Sequence, residues 1–303
     1  MTEKTFTLCS EYDKLPLSCL LYEPDEEPKG IVQIEHGMCE HKERYADFMR
    51  YLCEKGYVAF CHDHRGHGDS LKEEGHLGYF NDRNGTAVVD DSVMMTKYLK
   101  EQYPNLPLIL FGHSMGSMIV RCFLREHDEL VDKLIVCGSP AKNSMVGMAI
   151  FIAKSERIWL GDFHRSKMLT YLSTGKGNKR FKSEGKCAWL SKNRANVEAY
   201  LADPKCAYKF TANGFENLFK IMKRTYEKKG YGVKNPSMPI HFVAGGDDPV
   251  IGNEVSWLKG IEFLREAGYE KVSGKLYEGM RHEILQEDGK EEVYNDLLSF
   301  IEG

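Results

Sequence analysis

An apolar run, Leu108-Ile109-Leu110-Phe111, ends abruptly in Gly112-His113-Ser114-Met115-Gly116, and apolar residues at helical spacing follow from Ser117 to Leu124. This is a buried strand turning into a helix within a residue or two. Glycines two before and two after the serine remove the Cβ atoms that would block so tight a turn. The G-x-S-x-G pattern in that context is that of a nucleophile elbow, which holds one serine hydroxyl at the top of a sheet. It makes Ser114 the candidate nucleophile.

The rest of the chain supplies the sheet. Strands are expected at Thr5–Cys9, Leu17–Tyr22, Gly30–Glu35, Tyr57–Cys61, Leu108–Phe111, Leu134–Cys137 and Ile240–Val243, with another ending at Tyr277. Helical spacing falls at 44–55, 86–102, 117–124, 254–267 and 292–302. Strands that alternate with helices imply a mostly parallel sheet covered on both faces, an α/β fold. Residues 142–235 break the alternation. They have almost no β-like run and carry 20 Lys or Arg against 7 Asp or Glu, a net +13, whereas the remainder of the chain is at −17. We therefore expect a catalytic domain of 1–141 and 236–303, and a helical cap (lid) inserted as 142–235.

A serine hydroxyl needs a general base, and the base needs an acid to fix its tautomer. In a sheet of this kind the order along the chain is serine, acid, histidine. Gly245-Gly246-Asp247-Asp248-Pro249 follows the strand at Ile240–Val243 and offers the acid. Of eleven histidines only His282 lies beyond it. Asp248 is the preferred partner, with Asp247 as the alternative, left to satisfy loop backbone groups. The developing oxyanion requires main-chain N–H donors: Met115, the residue after the nucleophile, and Met38, in the loop after the third strand.

With these residues placed, the chain resembles the α/β-hydrolase superfamily, and within it the monoacylglycerol lipase and lysophospholipase group often merged with S33-type serine aminopeptidases. His36-Gly37-Met38-Cys39-Glu40-His41 with Arg44-Tyr45 matches the group's H-G-x-x-E-H-x-x-R-Y loop. Asp63-His64-Arg65-Gly66-His67-Gly68-Asp69-Ser70 matches its D-x-R-G-H-G-x-S loop, Gly112–Gly116 its G-H-S-M-G elbow, and Tyr277-Glu278-Gly279 the approach to the histidine. The resemblance implies Ser114, Asp248 and His282 as the triad and a helical cap after the sixth strand.

The expected function is hydrolysis of acyl esters through an acyl-enzyme, as in a monoacylglycerol lipase or lysophospholipase. A thioesterase or aminopeptidase would use the same triad, and a non-catalytic ligand binder could share the fold. No cofactor is required. The clusters Cys61-His62-Asp63-His64-His67 and His36-Cys39-His41 suggest metal ligands, but both fall in loops that shape the site, so no metal is expected. No phosphate-binding loop or nucleic-acid motif is present, and no nucleic-acid partner is expected. The apolar stretch around Met145, Met148 and Ile152 can line an acyl channel or touch lipid. The basic loop Lys176–Lys182 can approach an anionic membrane surface. No uncharged stretch nears the ~20 residues needed to span a bilayer. The N-terminus lacks a signal-peptide layout, and the nine cysteines read as reduced thiols, so a cytoplasmic location is expected. Oligomeric state is left open.

Overall fold

Period-two alternation along the strands sets up two cores, one on each face of a single sheet. The computed structural model describes residues 1–175 and 179–303; Lys176 of the basic loop lies outside them. Eight strands pair in the order β1-β2-β4-β3-β5-β6-β7-β8. They are β1 (Thr2–Cys9), β2 (Pro16–Glu23), β3 (Gly30–Glu35), β4 (Tyr57–His62), β5 (Leu108–His113), β6 (Lys133–Cys137), β7 (Ile240–Gly245) and β8 (Val272–Tyr277). Only β2 runs against the others; β3 to β8 are parallel throughout. The fully buried runs of β3, β4 and β5 are what strands covered on both faces require.

Ile31, Phe60 and Leu110 face the helices α2 (Ala87–Gln102), α3 (Met115–His127) and Glu254–Ala267, packing on Leu99, Phe123, Ile261 and Leu264. Their sequence neighbours Val32, Cys61 and Phe111 face α1 (Ala46–Glu54) and the helix Lys290–Glu302, against Phe48, Leu52, Leu297 and Ile301. Each such large apolar side chain contributes roughly 1.5–3 kcal/mol on burial. Local signals agree with this packing. Asn253 caps Glu254–Ala267 by accepting from Ser256 N, and Gly268 ends that helix in the left-handed region. The helix expected over 44–55 begins instead as a 3-10 turn, Lys42–Tyr45, because Arg44 and Tyr45 are drawn inward to Glu40.

Between β6 and β7 the described residues form helices and turns and no strand. They include α4 (Val146–Leu160) and the helices Arg194–Ala202 and Ala212–Thr225. A third apolar cluster joins them to the sheet domain: Ala149 and Ala153 of α4 and Phe215, Leu218 and Phe219 meet Met115, Met118 and Ile119 of α3. Of the expected basic loop Lys176–Lys182, Arg180 reaches Asp247 at 2.8 Å, and Lys182 opens a 3-10 turn that runs to Glu184. Among the described residues no helix is long and apolar enough to cross a membrane.

Candidate active site

Strand β5 ends at His113 and α3 starts at Met115, so Ser114 alone makes the turn, at φ +53° and ψ −113°. A non-glycine residue there is strained, and its surroundings must hold it. A Cβ on Gly116 would overlap the Glu35 carbonyl, and one on Gly112 would sit 2.5 Å from Gly116 O. Ser114 N donates to Cys137 O at 2.9 Å, and Ser117 Oγ donates to Ser114 O at 2.5 Å. The turn is thus tied to β6 and to the first turn of α3.

The loops after β7 and β8 bring in two further groups. Ser114 Oγ–H donates to His282 Nε2 at 2.8 Å, and His282 Nδ1–H donates to Asp248 Oδ2 at 2.8 Å. Asp248 Oδ1 accepts from Val250 N at 2.8 Å, which fixes the carboxylate. The two loops can touch because Gly245 lacks a Cβ, which would otherwise overlap the backbone of Met280 and Arg281. Asp247 turns away, to Arg180 at 2.8 Å and Lys192 at 3.6 Å. Its side chain was expected to serve loop backbone; instead it binds two basic residues of the segment between β6 and β7.

Burial opposes a charge on His282, but the adjoining Asp248 carboxylate outweighs it, and the ring is held above its ordinary pKa. Two rings flank it: His113, with centroids 4.6 Å apart, and Trp189, at 5.1 Å. Burial keeps His113 well below the ordinary histidine value, so it stays neutral beside His282. The neighbouring Arg281 is anchored outward, to Ala188 O at 2.6 Å, to both oxygens of Glu184 at 2.8 Å and over the Phe181 ring.

Behind the His36–His41 loop lies a buried charge network. Arg44 donates to Glu40 at 2.7 Å and to both oxygens of Glu283, at 2.7 and 2.8 Å. Asn196 Nδ2 donates to Glu283 at 2.6 Å. Glu40 Oε1 accepts from Gly37 N at 2.5 Å and Tyr45 Oη at 2.8 Å. Burial pushes Glu283 up, but Arg44 prevails and holds it at about 2; Glu40, with the single Arg44 prong, is raised by its burial. The network pins Gly37, whose α-carbon a Cβ would extend to 3.2 Å from Ser114 Cβ. Met38 and Met115 border the same cavity as Ser114, and neither backbone N–H donates to another described residue. Glu40, Arg44 and Tyr45 stood in the sequence motif. Glu283, Asn196 and Trp189 did not, and the only sequence signal for Glu283 is a charge beside the histidine.

The cavity over Ser114 measures about 440 Å³ and is walled by Met38, Met115, Met118, Leu218, Phe219 and Met222 among others. That is ligand-sized and mostly apolar. A larger depression of about 620 Å³, lined by Lys142, Tyr226, Lys228 and Lys259, touches none of Ser114, Asp248 or His282. The Asp63–Ser70 loop is a scaffold rather than a wall of the cavity. Asp63 accepts from Lys42 N, Lys42 Nζ and Asp69 N, each at 2.8 Å, and Arg65 is buried on Asp91 and Asp13. His41, a candidate ligand by sequence, has both ring nitrogens engaged, by Glu43 and Asp203.

Residues 26–289 match the family described as serine aminopeptidase, S33. The chain belongs to this family. It is 35% identical over 278 residues to the monoglyceride lipase of Homo sapiens, covering 89% of this chain and 81% of that relative. It is 25% identical over 282 residues to the monoacylglycerol lipase of Mycolicibacterium smegmatis, covering 93% and 91%. Among solved structures, a thermostable carboxyl esterase from Bacillus coagulans superposes with a TM-score of 0.90 at 29% identity, covering 100% of this chain and 99% of that one. This S33 member is therefore an α/β-hydrolase of the monoacylglycerol lipase-like group, as its sequence motifs imply, and a hydrolytic enzyme.

Proposed function

We propose that this ester hydrolase cleaves monoacylglycerols, with Ser114 as nucleophile, His282 as general base and Asp248 as its orienting acid. The unbroken chain Ser114–His282–Asp248 at the floor of an apolar cavity carries the reading. Ser114 Oγ attacks the ester carbonyl while its proton passes to His282 Nε2. The Asp248 carboxylate stabilises the imidazolium. The carbonyl oxygen, now negative, is received by the N–H groups of Met38 and Met115. The tetrahedral intermediate collapses, and His282 returns the proton to the departing glycerol oxygen. Water deprotonated by His282 then attacks the acyl-enzyme, releasing the fatty acid and restoring Ser114.

The substrate class rests on the named relatives and on the cavity, whose methionine, leucine and phenylalanine walls suit one acyl chain. Peptide cleavage next to a free amine needs a carboxylate to receive that amine. The carboxylates lining the cavity, Glu40 and Glu283, are both committed to Arg44. That weighs against an aminopeptidase despite the family's description.

We further read 142–235 as a cap over the site that also meets the lipid surface. One face of α4 packs inward through Ala149 and Ala153, while Phe151 is 66% and Trp159 84% exposed. Large exposed apolar side chains on a segment that also carries exposed basic residues such as Lys179 and Lys182 suit an anionic interface.

The test is turnover of monoacylglycerols against diacylglycerols, lysophospholipids and p-nitrophenyl esters of C2 to C16 chains, with Ser114→Ala as control. A preference for long monoacyl esters that drops on the order of 10⁴- to 10⁶-fold in the variant is expected. A preference for acetyl or butyryl esters alone would overturn the substrate assignment. Labelling of the wild type, and not the variant, by a fluorophosphonate would identify the nucleophile independently.

A further inference from the structure

Directly beneath the His36–His41 loop, three buried side chains point their unused atoms at one another. Glu35 is the last residue of β3, and His62 the last of β4. The parallel register that pairs Ile34 with Cys61 sets Glu35 beside His62. Alternation along the extended chain puts His64 on the same side as His62. One ligand atom from each of Glu35, His62 and His64 lies within 4.8 Å of the other two, and all three residues are fully buried. Among the described residues, Glu35 Oε2, His64 Nδ1 and both ring nitrogens of His62 have no hydrogen-bond partner. Buried polar atoms are nearly always paired, so three such atoms gathered at one point, one from each residue, indicate a missing partner.

The partner's nature follows from the atoms that are paired. His64 Nε2–H donates to His36 O at 3.1 Å, which leaves the Nδ1 lone pair facing inward. Glu35 Oε1 accepts from Gln33 Nε2 and Ser92 Oγ, each at 2.7 Å, which leaves Oε2 facing inward. An imidazole tied by its far nitrogen to a backbone carbonyl, beside a carboxylate oriented by hydrogen bonds, is the outer shell that metal-binding residues need. Glu35 Oε2 and His64 Nδ1 are 3.5 Å apart. That is close to the edge, roughly 3.3–3.5 Å, of a tetrahedron with zinc-to-ligand bonds of about 2.0–2.2 Å. Of the nearby residues that could compete, Asp63 is occupied by Lys42 and Asp69, and His67, whose Nε2 is unpaired among the described residues, is not part of the group of atoms within 4.8 Å.

We propose that Glu35, His62 and His64 bind a structural zinc ion that ties the end of β3 to the end of β4 under the oxyanion loop. Two imidazoles and a carboxylate suit zinc among the divalent ions. The ion sits one residue from His36, whose Nε2 accepts His64 N–H at 2.9 Å, and on the residue whose carbonyl abuts Gly116. It stiffens both loops that approach Ser114 without touching substrate. The site is closed to solvent, so the ion enters during folding.

The full chain is refolded from denaturant in chelator-treated buffer with equimolar zinc, passed through a desalting column and assayed by plasma mass spectrometry. About one zinc per chain is expected, with a higher melting temperature than the zinc-free preparation. Glu35→Gln and His64→Gln should lose that zinc and that shift. Ser92→Ala, which removes only a hydrogen bond to Glu35, should weaken zinc about 10- to 100-fold in chelator competition. Refolding with cobalt adds a spectrum: visible bands of tetrahedral cobalt without a sulfur charge-transfer band are expected. Wild type that retains no zinc, or retains it equally with Glu35→Gln, overturns the proposal. So does a cobalt spectrum dominated by cysteine sulfur. If Glu35→Gln does not fold, wild-type zinc retention and the cobalt spectrum still decide.

Discussion

Arg44 grips both carboxylate oxygens of Glu283, at 2.7 and 2.8 Å, across 239 residues of chain. Glu283 follows the histidine that faces Ser114, and Arg44's same Nη1 holds Glu40, which fixes Gly37. One guanidinium therefore sets the spacing between the His282 loop and the loop that carries Gly37 and Met38. Arg44→Met leaves two buried carboxyls without their cation. It should destabilise the protein by about 3–5 kcal/mol, the range for breaking a buried pair. Denaturant unfolding measures the stability loss; in the fraction that folds, kcat should fall more than KM rises.

Asp248 raises the pKa of His282, and His282 must be unprotonated to accept the Ser114 proton. The acid limb of kcat/KM should therefore lie above the ordinary histidine value of about 6.5. Asp248→Asn removes the charge that raises it, so the limb should move to lower pH while turnover falls by about 10⁴. A pH–rate profile of both proteins with one soluble ester checks the direction.

Gly116 admits no side chain. Gly116→Ala drives a methyl into the Glu35 backbone, which cannot yield as a flexible side chain would. The destabilisation should exceed the ~1–3 kcal/mol of ordinary overpacking. Soluble yield and melting temperature measure it, and Gly147→Ala, with open space at its Cβ, is the control.

Arg121 is fully buried with the Ser139 hydroxyl and the Tyr226 ring beside its guanidinium, and its Nε and Nη2 have no hydrogen-bond partner among the described residues. Arg121→Met removes a buried cation that faces no carboxylate. It should leave stability unchanged or raise it, by up to about 4 kcal/mol on the scale of buried charges replaced by apolar residues. A fall of the denaturation midpoint would contradict that.

On α4, Phe151→Ser and Trp159→Ser change exposed side chains and should shift stability by no more than about 0.5 kcal/mol. Binding to phosphatidylglycerol vesicles should drop severalfold, with hydrolysis of a water-soluble butyrate ester unchanged. Reversing the charge at Lys179 and Lys182 should reduce the salt sensitivity of the same binding.

Much of this architecture could be read from residue order. The strands from Gly30–Glu35 to Ile240–Gly245 announce themselves by apolar runs, because parallel strands are covered on both faces. The pair Gly112 and Gly116, with one histidine beyond the aspartates, brings Ser114 and His282 into line. Asp247 and Asp248 could not be separated with the same force, since both leave the same loop and only their side-chain directions differ. Glu283, Asn196 and Trp189 were hidden for another reason. Their roles arise from packing between segments 87 to 239 residues apart, and no local period records such a meeting.

Trp189 lies tilted against His282, and Glu184 clamps the residue before it. Both come from the stretch between β6 and β7, not from the sheet that carries Ser114. That stretch is consequently no interchangeable part. Transplanting the corresponding stretch of a relative would also replace the ring that flanks His282 and the carboxylate that anchors Arg281, so a change made in that stretch reaches the Ser114 site as well.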